Sequence, residues 1–183
     1  MPLSYQLVRS SRKTVSIEVR HDGSILVRAP RRLSERAIRE FVMSKEPWLR
    51  EKLRKIESRP VLPALTEAEL DDLKKQAGAD LTARVRHFAP LAGVNYGRIT
   101  IRAQKTRWGS CSKAGNLNFN CLLMLVPPEI RDYVVIHELC HRKHMNHAPA
   151  FWAAVEALCP DYRQRRAWLK DNGGPLIARL PEP

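Results

Sequence analysis

Four of the chain's six histidines fall within one short run, His137-Glu138-Leu139-Cys140-His141-Arg142-Lys143-His144-Met145-Asn146-His147. Its first five residues match the H-E-x-x-H pattern, which carries chemistry only on a helix. Helical side chains at i and i+4 lie on one face a turn apart, close enough to share one cation. The chain must therefore place a helix over 137–141. Glu138 then falls to one side of the imidazole face, where its carboxylate can hydrogen-bond a water activated by the metal without occupying a coordination position.

A catalytic zinc takes three protein ligands and leaves one position open, so a third ligand is needed beside His137 and His141. His144 continues the same helical face, while His147 stands at the spacing of the third ligand in H-E-x-x-H-x-x-G-x-x-H. One ion cannot easily take imidazoles from three successive turns, which favours His147, returning after the helix ends. His144 occupies the position where the longer pattern has glycine, so the reversal is expected later, at Met145-Asn146, with Asn146 in the left-handed conformation.

The surrounding elements follow from local signals. Residues 14–20 and 24–30 alternate about Asp22-Gly23 and predict a β-hairpin. Ser34 is an N-cap for a helix carrying Ile38, Phe41 and Val42, and Pro47 breaks the run and opens a second helix with Leu49, Leu53 and Ile56. Residues 59–65 form a proline-containing connector. Thr66 and Glu69 make a capping box before an amphipathic run with Leu70, Leu73, Ala77, Leu81 and Val85.

Strands are predicted over 97–102 and 117–122, joined by a turn-rich stretch containing Trp108-Gly109-Ser110-Cys111-Ser112 and Gly115. Pro127-Pro128 and Glu129 start the helix that carries the histidines. A further helix runs through Phe151, Val155 and Leu158 to Pro160. The last one spans about 162–170 and stops at Asn172-Gly173-Gly174.

With 32 Lys and Arg against 19 Asp and Glu, the net charge is +13. Such a field favours anionic partners, and Arg31, Arg32, Arg36, Arg39, Arg50, Lys52, Arg54, Lys55 and Arg59 offer a basic N-terminal face. Glu35, Glu40, Glu46, Glu51 and Glu57 interrupt it, as on solvated helix faces. Cys111, Cys121, Cys140 and Cys159 form no C-x-x-C pair, which points to reduced thiols and a cytoplasmic protein. Residues 1–9 lack the apolar core of a signal peptide, and no stretch is long enough to span a membrane.

Taken together, Arg107-Trp108-Gly109-Ser110-Cys111, Leu117–Asn120, Pro128, Tyr133-Val134-Val135-Ile136-His137-Glu138-Leu139-Cys140-His141, Asn146-His147 and Phe151-Trp152 resemble the YgjP-like family of zincin-type metallopeptidase domains, relatives of the SprT and WLM groups. Ser11-Arg12-Lys13-Thr14 and Ala29-Pro30 in the hairpin are similar too. The resemblance implies an α+β fold, a zincin-like domain with a small antiparallel sheet packed on helices, preceded by an N-terminal β-hairpin and helices. It divides the chain into 1–60 and 61–183, the second part carrying the metal, unless the two are continuous. It also implies a Zn²⁺ hydrolase with His137, His141 and His147 as ligands and Glu138 as the catalytic residue.

Three residues are candidates for substrate contact. Asn120 ends an amide-rich strand face that could pair with an extended peptide, as edge strands do. Arg107 and Ser110, with Lys105, flank a turn that could hold an anion or an oxyanion, although Trp108 and Gly109 also suit a core anchor and a tight turn. Tyr133, four residues before His137, is read as core. The first reading is a peptidase acting on a peptide or protein. The alternatives are a pyrophosphatase acting on a nucleoside triphosphate such as UTP, with no Gly-rich phosphate loop to support it, and a nucleic-acid-associated module on the same scaffold.

Overall fold

A computed structural model describes residues 4–20, 22–58 and 62–181. The chain separates into two compact units, Met1–Val61 and Leu62–Pro183.

In the first unit the predicted hairpin is present as β2 (Ser16–Val19) and β3 (Ile25–Pro30), paired antiparallel with Ser16 opposite Arg28. Gly23 sits in the turn at φ 83°, a conformation that costs a residue without Cβ little. A strand that the sequence does not announce, β1 (Gln6–Ser10), pairs parallel to the other side of β3. Leu7 and Val8 are 37% and 46% exposed, so β1 shows no alternation to read. Ile25, Val27 and Ala29 of the central strand pack with Ile38 and Val42 of α1 (Glu35–Ser44) and Leu49 of α2 (Glu46–Glu57). Ser34 accepts from the Ala37 amide at 3.3 Å, and Pro47 lies in the first turn of α2. Residues 59–61 of the proposed connector, and Arg59 of the basic run, lie outside the described residues, as do residues 1–3.

The second unit is built on α3 (Glu67–Ala92). Thr66 Oγ1 accepts from the Glu69 amide at 3.3 Å while Glu69 accepts from the Thr66 amide at 2.8 Å, completing the capping box. Leu70, Leu73, Ala77, Leu81, Val85 and Ala89 recur at three- and four-residue spacing and are all buried. The helix ends at Gly93, whose φ of 61° caps it. Three strands follow, β4 (Ile99–Arg102), β5 (Gly109–Cys111) and β6 (Leu117–Asn120), in the order β4-β6-β5.

The α+β class is as expected, but the sheets are mixed rather than antiparallel. β4 runs parallel to β6 and β5 antiparallel to it, because β5 forms inside the stretch read as a turn-rich connection. The second predicted strand also stops early: Cys121–Leu125 is a 3₁₀ turn, started by the Asn120 side chain accepting from the Leu122 amide at 3.1 Å.

The helix bearing the histidine run, α4 (Pro128–Cys140), packs along α3. Arg84 of α3 holds the two together: it pairs with Asp80 at 2.7 Å and with Asp132 on α4, and Arg131 of α4 reaches Asp80 at 3.5 Å. α5 (Pro149–Leu158) and α6 (Tyr162–Ile177) complete the unit. α6 does not stop at Asn172-Gly173-Gly174 but continues past Pro175. A Cβ on Gly173 would stand 2.9 Å from the Trp108 ring, so this glycine admits a close approach and is not a cap. Among the described residues no helix is long and apolar enough to cross a membrane, and all four cysteines are free.

The Arg84 network is largely shielded from water, with about a fifth of the Arg84 side chain exposed, unlike the surface pair Arg36–Glu40. Arg84→Ala is expected to lower unfolding free energy by about 2 kcal/mol, because two carboxylates lose a charged donor. Arg36→Ala should change it by less than about 0.5 kcal/mol. Urea denaturation of both variants checks the difference.

Candidate metal centre

The geometry begins with how α4 ends. The helix stops at Cys140, and His141 is its C-cap. The Arg142, Lys143 and His144 amides donate to the carbonyls of Leu139 and Cys140, tightening the chain into turns immediately after the second imidazole. The reversal thus comes earlier than the sequence suggests. Asn146 is not left-handed either, since among the described residues only glycines have positive φ. Its side chain instead accepts from the Ala148 amide at 3.3 Å, a local turn that leads into α5.

This path brings one ligand atom each from His137, His141 and His147 within 4.8 Å of one another. His137 Nε2 and His147 Nε2 are 3.1 Å apart. Two nitrogens on a tetrahedral ion at about 2.0–2.1 Å each stand roughly 3.3 Å apart, so the spacing fits a shared cation. The His144 ring is not part of the cluster, but its backbone carbonyl lies 3.0 Å from His141 Nδ1. A proton on Nδ1 donated to that carbonyl leaves Nε2 as the lone-pair nitrogen, the orienting contact that metal-binding histidines ordinarily have.

Phe151, in the first turn of α5, is the floor of the cluster. Its ring lies 4.5 Å from His141, 4.9 Å from His137 and 4.7 Å from His147, centroid to centroid. Trp152 stacks on His147 at 5.6 Å, which steadies a histidine carried by an exposed loop. Burial, reinforced by the charges of His141 and His147, pushes His137 down to about 3. Burial lowers His147 as well. Both are neutral near pH 7, the form that ligates a metal.

Glu138 is buried, and burial pushes its carboxyl up to about 8 against a small opposing pull from Arg107. Among the described residues Glu138 Oε2 is buried without a hydrogen-bond partner, a polar atom that a water held by a bound cation would engage, and His137 Nδ1, on the ring side away from His147, is buried without one as well. The space beside Glu138 is set by Gly109: a Cβ there would lie 2.6 Å from Glu138 Oε1. Backbone and carboxyl are therefore in direct contact, a role that the sequence shows only as a glycine after a tryptophan. Tyr133 is buried, meets His137 edge-on at 5.9 Å, and is pushed up to about 12 by burial, so it keeps its proton.

The three candidate substrate residues separate. Because Gly109 faces Glu138, Ser110 points to the opposite face of the sheet, where its Oγ accepts from Asn118 at 3.4 Å. Asn120 is buried, and its amide donates to the carbonyls of Gln104 at 2.7 Å and Arg107 at 3.1 Å. It lies on the central strand, not an edge, and its work is to hold the 104–107 loop. Arg107 alone is exposed and close enough for its charge to act on Glu138. Trp108 packs against the core, as an anchor would.

β5 is an edge strand of this sheet. The Asn120 amide donates to Trp108 O and the Ser112 amide to Asn116 O, each at 2.9 Å. Antiparallel alternation then turns the N–H and C=O groups of Gly109 and Cys111 away from β6, along the strand nearest Glu138.

Two histidines at the end of α4, a third from the following loop and a buried glutamate against Gly109 make a group of residues that could hold a metal ion beside a carboxyl. The family model for the YgjP-like, metallopeptidase domain matches residues 13–72 and 63–172, and the chain belongs to that family. Among solved structures, the crystal structure of the metallopeptidase zymogen of Pyrococcus abyssi abylysin is similar at 24% identity, covering 49% of this chain and 93% of that one, with a TM-score of 0.45. Comparison with curated proteins gives no match.

Gly109→Ala should leave the content of bound metal unchanged, since no imidazole moves, while displacing Glu138. A shift of about 1 Å in a reacting group costs on the order of 100-fold in rate. Metal analysis beside hydrolysis rates checks this: loss of both bound metal and activity would contradict it.

Proposed function

We propose that this protein is a zinc-dependent peptidase and that its second unit does the chemistry. The observation that carries this reading is the convergence of His137, His141 and His147 beside a buried Glu138 against which Gly109 of β5 packs. Three imidazole nitrogen donors suit zinc better than magnesium or calcium, which prefer oxygen. When bound, zinc supplies Lewis acidity, lowering the pKa of water toward 7 and polarising a carbonyl.

The chain's own residues do the rest. His141 is held in one tautomer by the His144 carbonyl. Glu138 takes a proton as water attacks the peptide carbonyl and returns it to the leaving amine. Burial alone keeps its carboxyl protonated near pH 7, and the positive charge of a cation held beside it would restore the carboxylate that takes the proton. An extended peptide can add to β5, pairing with the outward N–H and C=O groups of Gly109 and Cys111, which fixes the scissile bond over the imidazoles.

Four free thiols suit a reducing compartment, and we place the protein in the cytoplasm. On the basic N-terminal face, Arg36, Arg50 and Lys55 pair with Glu40, Glu46 and Glu51 one helical turn away. This pairing favours a solvated face over a nucleic-acid platform.

Glu138→Gln is expected to lower peptide hydrolysis by about 10³-fold with zinc retained, whereas His141→Ala and chelation should remove zinc and activity together. Assay of peptide and UTP hydrolysis beside metal content tests the reading. UTP hydrolysis surviving both Glu138→Gln and zinc removal would put nucleotide chemistry outside this site, and peptide hydrolysis surviving them would overturn the proposal.

A further inference from the structure

α6 carries three closely spaced arginines, Arg163, Arg165 and Arg166. Arg163 pairs with Glu156 at 3.0 Å, and Arg165 pairs with Asp161 at 2.9 Å and donates to the Glu129 carbonyl. Arg166 is exposed and pairs with no carboxylate among the described residues. It is also the one directed at the metal centre. Its guanidinium lies over Trp152, 4.6 Å from the ring centroid, and the same indole stacks on His147 and meets His137 edge-on at 5.9 Å.

Arg166 is thus one ring away from two of the three imidazoles, and its positive charge reaches both. Contact with an aromatic face fixes a guanidinium while leaving its outer N–H groups available. Its two neighbours are matched by carboxylates, and among the described residues Arg166 is not. A guanidinium fixed on one side and unpaired on the other is set up to receive an anion, and it offers the planar fork that a carboxylate fits.

Resting on the peptidase reading, we propose that Arg166 determines specificity by pairing with an acidic side chain of the peptide next to the scissile bond. Exposed Arg107, whose charge reaches Glu138, adds charge of the same sign. A lysine or arginine beside the scissile bond would meet repulsion from both.

The test compares kcat/KM of the zinc-loaded, full-length protein on end-blocked peptides that differ only by Glu, Gln or Lys at each position flanking the cleaved bond. The expected order is Glu above Gln above Lys, with Glu favoured over Gln by about threefold to fivefold, the worth of a well-oriented but exposed ion pair. Arg166→Gln should bring the Glu/Gln ratio close to one, and Arg166→Glu should invert the preference toward Lys. Arg163→Gln, which alters a neighbour already paired with Glu156, should keep the ratio of the parent protein.

A second readout does not depend on turnover. Tryptophan fluorescence titration of the Glu138→Gln protein should show tighter binding of the Glu peptide than of the Gln peptide, a difference that disappears when Arg166→Gln is added. Thermal unfolding confirms that each variant is folded. Equal use of Glu and Gln peptides, or a preference that survives Arg166→Gln, overturns the assignment and leaves the peptidase reading standing. Failure to cleave any peptide overturns that reading and the assignment with it.

Discussion

One cation cannot be held by imidazoles on three successive turns of a helix, so everything at this centre depends on where α4 stops. It stops one residue before its second imidazole, and the tight turns after Cys140 send the chain back with His147. The carbonyl at His144 makes the stop useful twice over. It lies in the turn and also faces His141 Nδ1. Phe151 then receives all three rings on one fully buried side chain, so the helix end, the loop and the start of α5 share a single support.

Features whose cause is local were legible in the sequence. The capping box at Thr66, the Ser34 cap, the break at Pro47 and the Asp22-Gly23 turn each rest on residues within a few positions of one another. The imidazole pair of H-E-x-x-H is of the same kind. Features set by distant partners were not legible. β1 is defined by pairing with β3 although Leu7 and Val8 show no buried face, and β5 is a three-residue strand defined by β6. Asn120 looks like a surface amide in an alternating strand, yet the 104–107 loop covers it and takes both its donors. Arg166 stands in a basic helix that no motif marks, and only the fold shows that its neighbours are paired and it is not.

The electrostatics divide by depth. At the surface, acids and bases one helical turn apart offset each other, as along α1 and α2. Deeper in, the site keeps a carboxyl and an imidazole that burial holds in their neutral forms. Neutral groups are cheap to bury, and each regains charge or a partner only when a cation arrives. The centre therefore folds without carrying an unbalanced interior charge, and its reactivity waits on the ligand.

Gly173 is far in sequence from the histidine run, but it seats the ring of Trp108. The carbonyl of Trp108 binds the Asn120 amide, and the next residue, Gly109, rests on Glu138. α6 therefore acts as a shim behind β5. Its thickness at one glycine sets the height of the strand above the carboxyl, so the fit between strand and carboxyl can be adjusted from a helix that carries none of the three clustered imidazoles.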